Sequence, residues 1–434
     1  MKNDRPADTI PIPYVGVVRV GGVLPIINSR PFQNLDMRKQ LGFMHMIFRG
    51  AGYSRYIHSM VVYWLTCRRM QRLVEWGTCT PQDRINVEVA SLLHDIGHGP
   101  GSHLTDPLVL EDHEERGYRI AEGLRKEIEE CGAQFEVVMA ILRRDHPLHV
   151  IIYDTPLGTD KLAYLWIDSE VTGIGGMPPR AAFLDNVYYR VVDGKGMLLV
   201  DPKVGNQVKN LINHYIKMYG DGYYKKACAI YERGFQQNIA ILLGMDDGEA
   251  EFTVDELVRL SDDGLVERML TSSNPQVRTN TERLIERGHP RSAIVMVAGS
   301  SEGFFAPDGK PMACRTVNDS FFEERKIAKP GFLALLEREL APKLGLAAGD
   351  LVITPPLLKR RFLPPNVHMA TNNGPMHIKD YWPDQYGAWV AEARSYLKFH
   401  ICVVPSERAR VANMADQVVE MFGEAVGELL PTFQ

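Results

Sequence analysis

Between residues 31 and 150 the apolar positions recur at helical spacing. In "YIHSMVVYWLTCRRMQRLVEW" the residues Ile57, Val61, Trp64, Leu65, Leu73 and Val74 fall on one broad stripe. "DRINVEVASLLHD" continues the pattern until "GHGPG" breaks it. "DHEERGYRIAEGLRKEIEE" predicts a further helix, with an acidic first turn that suits the positive end of the helix dipole. The period changes in "NVYYRVVDGKGMLLVDP". Two runs rich in β-formers flank Asp193-Gly194-Lys195-Gly196, which predicts a hairpin over residues 187–200. Helical spacing resumes through "YYKKACAIYERGFQQNIAILL" and "VDELVRLSDDGLVERMLTS". After about residue 300 proline and glycine become frequent, and the chain ends in an amphipathic helix beginning near Ser406. The expected fold is mainly α. Residues 1–300 would form a helical domain that includes the hairpin, and residues 301–434 a smaller mixed α/β subdomain suited to oligomerisation or regulation.

Charge and cysteine content narrow this picture. The 434 residues carry a net charge of −5 with acids and bases interspersed, so nucleic acid is not expected as the main ligand. The six cysteines are scattered without a CxxC pair, which argues against a disulfide framework or a structural zinc site and fits a reducing cytoplasm. The N-terminal "MKNDRPADTIPIPYVGVV" lacks the apolar core of a signal peptide, and no stretch reaches the length of a membrane-spanning helix, so the expectation is a soluble cytoplasmic protein without a membrane partner. Lys359 to Arg361 read as a solvated loop, or less readily as a contact for nucleotide or a partner chain. Phe43, Met44 and Met46 read as core.

One segment, "SLLHDIGHGPGSH", sets three histidines and an aspartate within ten positions. His94 and His98 lie one helical turn apart, with Asp95 beside them where the helix must end at Gly97 and Gly99. Alone, the His-Asp pair reads as a cap or surface feature more readily than as a ligand set. Upstream, "SRYIHS" puts Arg55 one turn before His58. Downstream, "GTDKLAYLWIDSE" places Asp160, Tyr164 and Asp168 on one helical face, with Lys161 beside Asp160. His146 and His149 in "RRDHPLH" are spaced i, i+3 but read as surface or polar-core residues.

The order His…His-Asp…Asp resembles the HD phosphohydrolase superfamily. The surrounding blocks resemble its dNTP triphosphohydrolase branch, the dGTPase-like and sterile-alpha-motif/HD dNTPases. "INSRPFQNLDMRKQLG" is similar to "DTPxFQRLRxIKQLG", "FRGAGYSRYIHS" to "FPGATHxRFEHS" and "LLHDIGHGPGSH" to "LLHDIGHGPFSH". "DHEERG" is similar to "xHExxG", and "TDKLAYLWIDS" to "xDKxDYLxRDS". The likeness covers residues 14 to 300 and is faint beyond.

The resemblance implies a mainly α HD-domain core and hydrolysis of deoxynucleoside triphosphates to deoxynucleoside and inorganic triphosphate. His58, His94, Asp95 and Asp160 would hold one divalent ion. Such a mixed N/O set suits iron, manganese, zinc or nickel better than calcium, and a magnesium ion accompanying the triphosphate is a further expectation. Arg55, His98, His113, Lys161 and Tyr164 would face the triphosphate, with Glu114 beside His113 in the catalytic group. His103 would protonate the departing 5′-oxygen, with Asp106 fixing its tautomer. Gln40 and Leu41 would contact sugar and base, Asp168 the 3′-hydroxyl, and Phe235 would stand where the family has a tyrosine near the sugar. The family assembles as dimers, tetramers or hexamers, so a homo-oligomer is expected.

Several positions depart from the family pattern. Asn28 and Asp36 replace the charged residues with which guanine-nucleotide-activated members recognise their activator, so activation by GTP is not expected. Gly101 stands in place of an aromatic, and Lys225 or Lys226 would have to substitute for an arginine. Two alternatives to the triphosphohydrolase reading follow from the same residues. One is a phosphohydrolase of another nucleotide (a monophosphate, cyclic or signalling nucleotide), and the other is a catalytically silent nucleotide-binding oligomer.

Overall fold

The structure is a computed structural model that describes residues 8–245, 248–298, 312–317, 322, 324–355 and 364–433. Lys359 to Arg361 lie outside the described residues. In chain order the main elements begin with strands β1 (Thr9–Ile12) and β2 (Gly16–Arg19) and helices α1 (Arg55–Glu75), α2 (Pro81–Leu93), α3 (His113–Glu122), α4 (Phe135–Leu142) and α5 (Thr159–Thr172). Strands β3 (Val187–Val192) and β4 (Lys195–Val200), helix α6 (Lys226–Leu242), strands β5 (Arg291–Ala298) and β6 (Ala313–Val317) and helix α7 (Pro330–Lys343) follow. Strands β7 (Leu351–Thr354), β8 (His368–Thr371), β9 (Gly374–His377) and β10 (Lys398–Val403) and helix α8 (Ala415–Leu429) complete the chain. The fold is mainly α with small sheets.

Contacts cluster into two units. The first comprises Met1–His103, Glu111–Met218 and Pro364–Gly387, and the second Leu104–Leu110, Tyr219–Leu363 and Ala388–Gln434. The division does not fall near residue 300, where composition placed it. The reason is a strand pairing that composition cannot register. β4 pairs in parallel with β8 through Leu199↔His368, so a hairpin from the proline-rich C-terminal stretch completes a sheet of order β3-β4-β8-β9. The β3–β4 turn has Asp193 at φ 50° and Gly194 at φ 76°, the two left-handed central residues of a two-residue type I′ hairpin loop.

In the first unit α1 is buried on far more than one stripe. Val61, Leu65 and Leu73 are inside as the pattern predicts, but so are Arg55, His58, Ser59, Thr66 and Arg69. Each polar group in such a place needs a partner. Thr66 and Thr159 share a hydrogen bond of 2.8 Å. Arg69 donates to the carbonyls of Leu157 (2.6 Å) and Phe183 (3.2 Å), and burial pushes its pKa down to about 10. Helix α2 starts with a Thr80–Asp83 capping box and Pro81 at its first turn.

The second unit is built on a sheet of order β6-β5-β10-β7. Side chains alternate across it. Leu351, Ile353, Ile401 and Val403 join the core formed with α7 and α8, while Val352 and Cys402 pack with Ile230 of α6 on the other face. Buried Arg233 of α6 donates to Glu337 of α7 at 2.8 Å. Glu337 also accepts from Gln237 (2.6 Å) and from the β7 backbone N–H of Ile353 (2.8 Å).

Candidate metal and phosphate site

Three helices of the first unit deliver four groups to one point. His58 comes from the second turn of α1, His94 and Asp95 from the end of α2, and Asp160 from the first turn of α5. His58 Nε2 lies 3.3 Å from His94 Nε2, 3.2 Å from Asp160 Oδ1 and 3.6 Å from Asp95 Oδ2. His94 Nε2 lies 3.5 Å from Asp95 Oδ1 and 3.7 Å from Asp160 Oδ1. Two donors about 2.1 Å from one ion and at about 90–110° to each other stand roughly 3.0–3.4 Å apart. The His58 Nε2 spacings to His94 Nε2 and Asp160 Oδ1 fall within that range, and the other three exceed it by about 0.1–0.3 Å.

Tautomer logic points the same way. His94 Nδ1 sits 2.8 Å from the Ser91 carbonyl, which can only accept, so Nδ1 carries the proton and neutral His94 presents a lone pair at Nε2. That lone pair faces two carboxylates and a second imidazole nitrogen, an arrangement that demands positive charge. Burial disfavours charge on His94, yet Asp95 and Asp160 outweigh it and raise its pKa. Burial keeps His58 lowered, in the neutral ligand form. Burial alone would raise both aspartates, but His94 and Arg55 hold Asp95, and Lys161 and His58 hold Asp160, well below the usual carboxylate range. The donor set fits a divalent ion that accepts nitrogen and oxygen ligands.

Cations and imidazoles gather beside this set. Arg55, buried, donates to Asp95 and to Ser102 Oγ, and its Nε has no hydrogen-bond partner among the described residues. Lys161 Nζ lies 3.0 Å from Asp160 Oδ2 and 5.1 Å over the ring of Tyr164. His98 stacks on His113 with ring centroids 3.9 Å apart, and the exposed His103 ring stands 4.6 Å from one and 4.8 Å from the other. Burial and the Arg55 charge hold the His98 pKa well below its usual value. His98 Nδ1 is buried without a hydrogen-bond partner among the described residues.

The backbone between these groups is strained where the site requires it. Gly101 and Ser102 are both left-handed, at φ 70° and 63°. Gly101 occupies a conformation that favours glycine, which accounts for the missing aromatic. Ser102 bears the conformation as a non-glycine residue, and its hydroxyl bonds Gln40 O at 3.0 Å. A Cβ on Gly97 would stand 2.1 Å from the His113 carbonyl and 2.3 Å from Gly117 N. Only glycine lets α3 bring His113 against His98.

The remaining residues expected at the site are placed as follows. Gln40 donates its backbone N–H to Tyr53 O at 3.0 Å, and its buried Oε1 has no partner among the described residues. Leu41, next to it, is half-buried. Asp168 is fully buried and accepts at 2.7 Å from the Tyr53 hydroxyl, a partner that the sequence reading missed. Glu114 pairs with Arg144, also missed. Asp106 and Phe235 belong to the second unit, where Phe235 is fully buried in α6. Asn28 is exposed. Asp36 accepts at 2.6 Å from Ser54, whose hydroxyl also caps α1, so its carboxylate serves the helix that carries Arg55 and His58. The Nδ1 atoms of His146 and His149 are engaged in local turn contacts, with the backbone N–H of Leu148 and the His146 carbonyl.

Residues 55–171 match the family model of the HD domain. The chain is 31% identical over 160 residues to Uncharacterized protein YwfO of Bacillus subtilis, covering 34% of this chain and 36% of that protein. It is 40% identical over 84 residues to Deoxynucleoside triphosphate triphosphohydrolase SAMHD1 of Gallus gallus, covering 19% of this chain and 14% of that protein. The chain therefore spans a minor part of these curated relatives. The crystal structure of a phosphohydrolase from Bacteroides thetaiotaomicron aligns with a TM-score of 0.68 at 19% identity, covering 92% of this chain and 99% of that one, which shows a shared fold.

Proposed function

From a chain that carries an HD domain over residues 55–171, we propose a metal-dependent phosphohydrolase that cleaves deoxynucleoside triphosphates to deoxynucleoside and inorganic triphosphate. One observation supports this reading above others. His58, His94 and Asp95 form a compact candidate metal group that Asp160 joins at 3.2 Å from His58 Nε2, and it is flanked by two cations and three clustered imidazoles, a density of positive and proton-carrying groups that a long polyphosphate requires. The local similarity to a dNTP triphosphohydrolase supports the same substrate class.

A divalent cation bound by those four residues would polarise a phosphoryl oxygen and acidify a water near phosphorus. The chain's own residues do the rest. Arg55 presents a planar fork and Lys161 a point charge to the phosphate oxygens. His98 and His113 offer ring N–H groups beside them. His103, exposed at the edge of the cluster, supplies the proton to the departing 5′-oxygen. Gln40, with its unpartnered Oε1, and Leu41 meet the sugar and base, and Asp168 with Tyr53 lies on the sugar side.

Two variants separate the roles. Asp95→Ala should lose the metal, since removing one ligand leaves three poorly compensated groups. His103→Ala should keep its metal while turnover falls roughly 10²- to 10⁴-fold, the range for a lost general acid. Full metal occupancy in Asp95→Ala by elemental analysis, or wild-type turnover in His103→Ala, would refute these assignments.

A further inference from the structure

Helix α4 closes on a left-handed residue, Arg144, at φ 65°. The closing bonds run from Arg144 N to Ile141 O (3.1 Å) and from Asp145 N to Ala140 O (2.8 Å). Glycine is the usual occupant of such a position, because a Cβ there is disfavoured. An arginine there carries a backbone cost, as Arg287 does at φ 62° after the helix Pro275–Ile285, so the conformation alone assigns no role and the side-chain contacts decide.

The guanidinium lies 4.8 Å over the ring of Tyr153 and pairs with Glu114. The Tyr153 ring meets the edge of the His94 ring at 6.5 Å. Glu114 follows His113, whose ring stacks on His98. Arg144 thus contacts two residues that border the candidate site, Tyr153, whose ring neighbours that of His94, and Glu114, which follows His113. Its side chain remains 46% exposed. The neighbouring Arg143 turns elsewhere, to Glu122 and the ring of Tyr118. Arg55 and Lys161 are tied to the ligand carboxylates Asp95 and Asp160, whereas the partner of Arg144 is a carboxylate outside the ligand set.

We propose that Arg144 is a further phosphate-binding residue, the guanidinium that takes the outer phosphate of a polyphosphate substrate. This rests on the triphosphate reading above. Stacking on Tyr153 fixes the plane of the fork, and Glu114 neutralises it until an anion arrives. A terminal phosphate then offers a more highly charged, bidentate set of acceptors.

Arg144→Gly deletes the cation and its contacts with Glu114 and Tyr153 while relieving the left-handed backbone, and its melting temperature tells a loss of binding from a loss of folding. Arg144→Lys keeps the charge without the fork. Binding of inorganic triphosphate to the Mn²⁺-loaded protein, followed by titration calorimetry, should weaken roughly tenfold or more in Arg144→Gly and less in Arg144→Lys. The melting temperature of the glycine variant should match or exceed that of the wild type. Equal triphosphate affinity in Arg144→Gly and wild type would overturn the role of Arg144 alone. Absence of triphosphate binding by the wild-type protein would overturn the triphosphate reading, and this assignment with it.

Discussion

At the scale of single residues the site depends on how closely two backbones approach. Gly97 faces the His113 carbonyl and Gly117 N, so a methyl group there meets backbone on both sides and no flexible side chain can yield. Gly97→Ala should cost about 1–3 kcal/mol as overpacking and move His113 away from His98, with turnover falling about a hundredfold for a displacement near 1 Å. Metal content should persist, because the four donors lie on α1, α2 and α5. Denaturant midpoints and metal analysis of the variant check both halves, and unchanged stability and turnover would show that α3 can shift freely. The grouping of His58, His94, Asp95 and Asp160 was legible in the sequence through its resemblance to the HD motif order, while their role as metal donors is the proposal made above. Arg144, Tyr53 and Asp36 were not legible in this way. Their roles arise from side chains meeting across 30, 115 and 18 positions of sequence, and no local period records such distances.

At the scale of elements, periodicity located α1 but gave it one buried stripe where the structure buries most of its circumference. A helix surrounded on many sides must accommodate its polar residues, and Arg69 does so by tying down the turn before α5. Beside that turn, Asp154 accepts a backbone hydrogen bond from Leu157 at 3.2 Å. Burial, only partly opposed by that bond and by Arg69, pushes its pKa from 3.8 to about 7. The sign follows from linkage. Between about pH 4 and pH 7 the folded carboxyl keeps a proton that the unfolded chain has released, so each step up in pH disfavours the folded state until the folded pKa is passed. This group's contribution to stability therefore falls as pH rises through that window and is flat above it. Asp154→Asn preserves the acceptor and removes the titration. Urea unfolding at several pH values should show a shallower decline for the variant, and parallel curves would contradict the pKa direction.

At the scale of the molecule, the mainly α fold and the β3–β4 hairpin could be read from the sequence, whereas the division into units could not. A boundary drawn from proline and glycine content marks turns. It does not reveal that β8 returns to pair with β4 through Leu199 and His368, or that Leu104–Leu110 clusters with the second unit. No helix among the described residues is long and apolar enough to cross a membrane. The claim that joins these scales is that the four-donor set and its flanking cations act on a triphosphate as a whole, cleaving it from the 5′-oxygen. The direct test is to incubate the metal-loaded protein with each deoxynucleoside triphosphate and identify the first phosphorus-containing product by ³¹P NMR. The account predicts intact inorganic triphosphate together with the free deoxynucleoside. Pyrophosphate with a deoxynucleoside monophosphate, orthophosphate with a diphosphate, or turnover only of a different nucleotide class would contradict it.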